Sequence, residues 1–479
     1  MKRIYVIVIC LLVLAGLALG GLYWHYTNTY IKIEDKALRR DITELTVAGD
    51  QLPQTQLLQQ LPQLEILDLR GVAVSISEYE QLKADLPNCR ILWKVPFQGN
   101  YLDENTTELA VTGLTAEDLE SLSYLPALQT VNAVGCRDYD VLMQLKETYP
   151  EFSVPYSVAV NGEEYSYDVT ALVLRDADIT ELSAVLPYLP QLEKVEFTGT
   201  APDNESIYQL VCAYPEIDFR WDLSIFGINV TNTVEELDLS GIPMESTDEI
   251  ESYLKYLPAL KRVDMCDCGI PSAEMDALSQ RWPNTRFIWT INLGFGKVRT
   301  DATAIMPVHL GHTKDAPLND ENTKELKYCI DLVCLDLGHM SVNDLSFLSY
   351  MPKLKYLILA DNTAQDYAPL ANLKELIYLE IFMVKKFPNQ EVLLNLTNLQ
   401  DLNMCFTKIE DIEVYKQMTW LKRFWASGCG ITDPQAKELR AALPNTVIHT
   451  NLPHSTAANW RDHQNYRDMR DLLGMDYME

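Results

Sequence analysis

Leu354-Lys355-Tyr356-Leu357-Ile358-Leu359 and Leu399-Gln400-Asp401-Leu402-Asn403-Met404 are one phrase, LxxLxL and its close variant LxxLxM. Its opening residue returns at Leu332, Leu354, Leu376, Leu399 and Leu421, at spacings of 22, 22, 23 and 22. Apolar residues alternating at period two mark a short strand that buries one face. A strand that returns at a fixed interval of this size marks a stacked repeat, in which each copy buries its apolar edge against its neighbours.

Upstream the period lengthens. A Leu-Pro pair stands at Leu61-Pro62, Leu125-Pro126, Leu189-Pro190 and Leu257-Pro258, at intervals of 64, 64 and 68. A second proline follows at Pro87, Pro150, Pro215 and Pro283, and six residues beyond each stands Trp93, Tyr156, Trp221 or Trp289. Twelve beyond stand Gly99, Gly162 and Gly227, with Gly294 and Gly296 bracketing the fourth slot. Each copy reads strand, helix, strand, helix, strand. The last strand alternates, as in Phe219, Trp221, Leu223 and Ile225, and closes on a glycine turn such as Val160-Asn161-Gly162-Glu163, a hairpin signal.

These phrases resemble the leucine-rich repeat superfamily, the short block in particular its compact bacterial form, like that of the internalins. The whole chain resembles leucine-rich repeat surface proteins of Gram-positive bacteria. The resemblance implies an α/β solenoid, with parallel strands on the concave face and helices on the convex face. It also implies Asn or Cys at the ninth position of each repeat, where a side chain satisfies backbone groups as the chain leaves the strand. Cys136, Cys268, Asn362 and Cys429 occupy that slot, Thr200 and Thr407 are weaker donors, and Val72 and Met340 break the pattern. The organisation expected is a stub at 1–3, an apolar span at 4–24, a linker at 25–40, four long units over 41–294, an irregular joint at 295–329, short repeats over 330–450 and a cap at 451–479. Residues 41–450 are expected to form one continuous solenoid.

Ile4 to Trp24 carries no charge. At 1.5 Å per residue this run is about 31 Å long, enough to cross a bilayer's hydrocarbon core. Lys2 and Arg3 orient the N-terminus to the cytoplasm, and Tyr23, Trp24, Tyr26 and Tyr30 suit the far interface. A cleaved signal peptide is the alternative, with Ala18-Leu19-Gly20 as its site. Either reading exports the bulk of the chain, to the cell surface or into the medium.

Sixty-eight acidic against 39 basic residues give a net charge of −29, which repels nucleic acid. Ten cysteines are too few for a disulfide scaffold, and mostly free thiols are expected. His309 and His312, with Asp301 and Asp315, make the best metal-like group, but the pair sits in a loop-like joint without a third close ligand. Cys266 and Cys268 lack CxxC spacing, and Cys268 already fills a turn slot. No hydrolase, nucleotide or zinc-protease motif occurs. The chain therefore reads as non-catalytic, with no cofactor and no metal. An envelope enzyme or assembly factor with a site in the joint is the alternative, and a structural surface protein without a ligand is a third.

The strand positions between the core residues face away from the repeat interior. Adjacent strands lie about 4.8 Å apart, so these positions form columns of one surface. Tyr356, Tyr378, Phe382 and Trp425 gather there around Glu380, Asp401, Asn403 and Arg423. Aromatics ringed by polar groups suit recognition of an extracellular protein or glycan; cover by flanking loops or by the terminal cap is the competing reading. If the aromatics are exposed, replacing Tyr378 or Trp425 with Ala should barely change folding. The long units present a more acidic face, with Asp68, Glu196, Asp238 and Asp264. A plain solvated face is the simpler reading there, and a cation or basic partner the functional one.

Overall fold

The computed structural model describes residues 2–33, 36–47, 49, 51–294, 296–307, 318 and 320–475. The chain divides into two compact units, Met1–Trp221 and Asp222–Glu479.

The first unit opens on the helix Lys2–Thr29 and a hairpin of Tyr30–Ile33 with Lys36–Arg39. Arg40 donates its amide to the Thr29 carbonyl and its Nε to that of Thr27, so the chain folds back on the helix end. Parallel ladders follow. Glu44–Thr46, Ile66–Asp68 and Arg90–Leu92 form one, Glu108–Ala110 and Thr130–Asn132 a second, and Ala171–Arg175, Lys194–Thr198 and Asp218–Arg220 a third. Single bridges from Thr130 to Ser153 and from Ala133 to Tyr156 extend the second. The strands stand where the repeat spacing predicts them, and in this unit they form separate ladders. Antiparallel hairpins, Lys94–Phe97 with Asn100–Asp103 and Ser157–Val160 with Glu163–Ser166, separate the ladders. Their turns are Gln98-Gly99 and Asn161-Gly162, both residues of each having positive φ, the geometry that suits a twisted two-residue hairpin. A chain that has turned onto itself there cannot also extend the parallel ladder. The recurring aromatic after the second proline anchors each junction: Trp93 and Tyr156 are buried, and the Tyr156 hydroxyl donates to the Tyr188 carbonyl.

The second unit repeats the long pattern once. The hairpin Asp222–Ile225 with Ile228–Thr231 leads to the ladder Glu236–Asp238, Arg262–Asp264, Arg286–Ile288, then to the hairpin Thr290–Asn292 with Lys297–Arg299. A seven-stranded parallel sheet follows: Ala304–Ile305, Cys334–Asp336, Tyr356–Ile358, Tyr378–Glu380, Asp401–Asn403, Arg423–Trp425 and Val447–His449. Two of the strands in this unit, Lys297–Arg299 and Ala304–Ile305, lie inside the stretch expected to be an irregular joint. His309, His312 and Asp315 lie outside the described residues. Asp301 is engaged by Arg262 and Arg299.

The core of the short block is the LxxLxL phrase itself. Leu354, Leu357, Leu359, Leu376, Leu379, Ile381, Leu399, Leu402 and Met404 are wholly buried. The connections on that side are mostly single 3₁₀ turns, Ser346–Tyr350, Ala368–Asn372 and Gln390–Asn395, and not the helices expected there. A 22-residue repeat that also contains a strand and two bends leaves too little chain for a full α-helix. The longer units carry one, such as Ser272–Arg281.

The ninth-position slot works as the resemblance implies. Asn362 accepts from the Val342 amide at 2.8 Å and donates to the Leu337 carbonyl at 2.8 Å. Thr407 accepts from the Val384 amide and donates to Ile381, while Cys429 donates to Met404 and Cys268 to Leu239. Each ties one repeat to the one before it. Val72 and Met340 are buried apolar residues at the same position. Cys136 is buried too, but its thiol faces Asp138 at 3.8 Å. All ten cysteines are free thiols. Replacing Asn362 with Ala strands a buried amide and a buried carbonyl, each worth about 1–3 kcal/mol. Chemical denaturation should therefore show a loss of about 2–5 kcal/mol, against less than about 1 kcal/mol for a surface control such as Lys353→Ala.

Candidate functional site

Parallel pairing places side chains of successive repeats side by side. Cys334, Tyr356, Tyr378, Asp401, Arg423 and Val447 pair in one row, and Asp336, Ile358, Glu380, Asn403, Trp425 and His449 in the next. The sheet thus gathers the sequence-predicted residues on one face, opposite the leucine core.

That face is covered. Tyr378 and Asp401 are 0% exposed, Trp425 2% and Glu380 4%. Tyr356, Asn403 and Arg423 are buried too, and only Phe382 is half-buried, edge-on to His339. The expectation of exposed aromatics is therefore overturned. The cover is residues 451–475, which cross the face of the sheet instead of only closing its end. Trp460 packs on Tyr378 and Trp425, Tyr466 approaches Tyr378, and Met469 and Leu473 join Cys334, Tyr356 and Met306 in one cluster. The signal for this was present in the helix Gln464–Leu472: Tyr466, Met469 and Leu473 form a stripe at helical spacing. Nothing local says which surface that stripe meets.

The contacts are strongly polar. Arg423 forms a bidentate pair with Asp401, Nε to Oδ1 at 2.8 Å and Nη2 to Oδ2 at 2.7 Å. Its Nη1 donates to the Trp460 carbonyl, and its guanidinium lies 4.3 Å from the Trp460 ring centroid. Asp401 also accepts from Asn465 Nδ2 at 2.8 Å, with His463 Nδ1 at 3.2 Å. The Trp460 indole N–H is shared between the Tyr378 hydroxyl at 2.7 Å and Glu380 Oε1 at 2.6 Å, and the Tyr378 hydroxyl donates to the same carboxylate. Trp425 Nε1 donates to the Ala457 carbonyl and Asn403 Nδ2 to that of Ser455, both at 3.0 Å.

Burial raises the Glu380 carboxyl above the usual range, against the pull of its Tyr378 and Trp460 donors. Burial also lifts the Tyr378 phenol, and the Glu380 carboxylate adds to the effect. The His463 imidazole is pushed down by burial, which outweighs the opposing attraction of Asp401.

The acidic face of the long units supplies its own cations. Asp68 pairs with Arg70 and Glu196 with Lys194. Asp238 and Asp264 are direct neighbours across adjacent strands, as expected. Arg299 lies between Asp264 at 2.6 Å and Asp301, and Ser240 hydrogen bonds hold Asp238 below the ordinary carboxylate range. These charges are matched within the fold. Among the described residues, no group of three His, Cys, Asp or Glu could hold a metal ion.

Parallel strands from Cys334–Asp336 to Arg423–Trp425 at intervals of 22 or 23 residues, with Asn362, Thr407 and Cys429 bonded back to the preceding repeat, decide the architecture. The short block is a leucine-rich repeat sheet.

No protein-family profile matches the chain, and no curated protein does. Among solved structures, the chain is similar to an internalin (inlF) of Listeria monocytogenes, at 15% identity and a TM-score of 0.25, over 93% of this chain and 91% of that one. It is similar to a leucine-rich repeat protein of Leptospira interrogans at 17% identity and a TM-score of 0.28, over 86% and 96% of the two chains. A second Listeria monocytogenes internalin (inlC2) aligns at 19% identity and a TM-score of 0.25, over 47% of this chain and 86% of that one.

Two outcomes follow from the burial. Trp425→Ala empties a filled aromatic site and should lower stability, by up to about 3–5 kcal/mol, with thermal melting as the check. Glu380→Gln reports on the buried carboxyl. A folded-state pKa raised above 4.5 means stability is fully present below pH 4.5 and is lost as pH rises through the raised value. The melting temperature of Glu380→Gln should gain on the parent chain as pH rises from 4 to about 8. A gap that stays constant with pH would mean that Glu380 titrates as an ordinary carboxylate.

Proposed function

We propose that this chain is a membrane-anchored leucine-rich repeat protein that binds polypeptide outside the cell, without catalysis. Its setting would be a Gram-positive cell surface. The observation that carries the reading is the occupied sheet face. Arg423, Trp425 and Asn403 donate to main-chain carbonyls of Trp460, Ala457 and Ser455, and Tyr378 and Glu380 receive an indole N–H. Donors aimed at peptide carbonyls, with aromatic anchors between them, are the chemistry of a polypeptide-binding surface. They favour a protein partner over a glycan. Buried anchors of this kind bind through fit and desolvation, and nothing in their arrangement calls for a reacting atom.

The anchor is the N-terminal helix. Ile4–Thr29 is 26 residues long, and its most apolar 18-residue stretch has mean hydropathy 2.7 and is nowhere buried against the rest of the chain. Its length suits a bilayer crossing, and Lys2 and Arg3 favour a cytoplasmic N-terminus.

Two measurements test the two halves. Protease added outside intact cells should digest the repeats and leave a membrane-bound fragment of about 25–30 residues; intact protein in the medium would mean a cleaved signal peptide instead. Full chain carrying Trp460→Ala, which weakens the cover, should capture peptides from a tryptophan-containing peptide array. It should lose them on further substitution of Arg423. Capture of glycans alone would overturn the polypeptide reading.

A further inference from the structure

We infer that residues 452–475 are a tethered competitor: they occupy in cis a groove whose external ligand is a polypeptide bearing a tryptophan that takes the place of Trp460. The inference rests on the polypeptide-binding reading above and adds the recognition rule and its control.

Three observations carry it. The first is where the contacts fall. Main-chain carbonyls of Ser455, Ala457 and Trp460 receive three of the face's hydrogen bonds, and any polypeptide can offer those. Three polar contacts use particular side chains: the Trp460 indole on Tyr378 and Glu380, and the Asn465 amide and the His463 imidazole on Asp401. An indole followed three residues later by an imidazole and five later by a carboxamide is therefore the motif this groove reads.

The second is the separation of the cover from the repeat core. Leu357, Leu379, Leu402 and Phe424 are wholly buried on the opposite side of the sheet, and the Asn362, Thr407 and Cys429 ties run between repeats. None of these contacts involves residues 452–475. The covered face itself carries Glu380, Asp401, Asn403 and Arg423, groups that water can solvate when the segment leaves. The apolar members of that face, Tyr356, Ile358, Tyr378 and Trp425, pack with Trp460, Met469 and Leu473, so the seated segment buries both kinds of group.

The third is the entry to the segment. Ala458 and Asn459, immediately before Trp460, both have positive φ, at 55° and 60°. An alanine in this conformation is strained, and it is held there by the docking on either side of it. Release of the indole frees that turn, so the tether is not at its own conformational minimum when seated.

The test uses full chain in detergent, with a protease site inserted between Asn451 and Leu452, and a fluorescent peptide of residues 451–475. After cleavage the labelled peptide should displace the resident segment. A peptide with Trp460→Ala should compete about 30-fold more weakly or worse. Uncut chain should take up label about 100-fold less well, because tethering raises the local concentration of the resident segment. Retention of the cut segment without any uptake, equal competition by both peptides, or loss of the repeat fold on cutting would each overturn the inference. Absence of uptake while the Trp460→Ala chain still captures peptides through another surface would refute the inference and leave the functional reading standing. Uptake that no other tryptophan-bearing peptide can compete with would refute the external ligand and the functional reading together. Exchange of segments between uncut chains, seen as dimers by light scattering, would name a second copy as the occupant and refute the external ligand.

Discussion

In-register stacking of parallel strands is the constraint on which the second unit depends. Once Leu357, Leu379 and Leu402 are aligned across neighbouring strands, every other strand position is aligned as well. One side of the sheet becomes a column of leucines, sealed by the Asn362, Thr407 and Cys429 ties. The other side becomes rows in which phenols, carboxylates and a guanidinium must be neighbours whatever their mutual preference. Asp401 beside Arg423 is a favourable outcome of that rule, and Glu380 in line with Asp336 an unfavourable one.

A face of that composition has two stable resolutions, water or a partner with matching donors. Here the C-terminal segment supplies the partner. It brings an indole N–H to Glu380, a carboxamide to Asp401 and carbonyls to Arg423, Asn403 and Trp425. Buried ion pairs contribute little net stability when exchanged for apolar packing, and they are severe when one member is left alone. The Asp401–Arg423 pair therefore depends on an occupant that completes its hydrogen bonds, here the Trp460 carbonyl and the Asn465 amide. The same logic separates this face from the acidic strands of the long units. There Arg70, Lys194 and Arg299 already complete the charges and leave little for a ligand to add.

The hairpins of the long units show a different use of the repeat. After three of the third strands the chain enters a two-residue turn with positive φ at both positions, Gln98-Gly99, Asn161-Gly162 and Phe226-Gly227. The chain then pairs antiparallel with itself, and the ladder ends. In the short block no such turn intervenes, and seven strands pair without interruption. Hairpin or no hairpin after the third strand separates an interrupted series of ladders from a continuous sheet.

Strand positions, the repeat period, the turn slots and the hairpins were all legible in the chain, because each depends on residues within one repeat. Asn362 and Cys429 announce their role by spacing alone, and so does the row that joins Tyr378, Asp401 and Arg423. Two features were not legible. The long-unit ladders end at their hairpins because a strand edge cannot serve two partners, a competition that no single repeat displays. The cover over Tyr378, Glu380 and Trp425 comes from Trp460, Asn465 and Met469, residues distant in the chain. Periodicity tells which side of a strand a residue faces. Whether that side meets water or another part of the same chain is set by long-range docking, which leaves no period in the sequence.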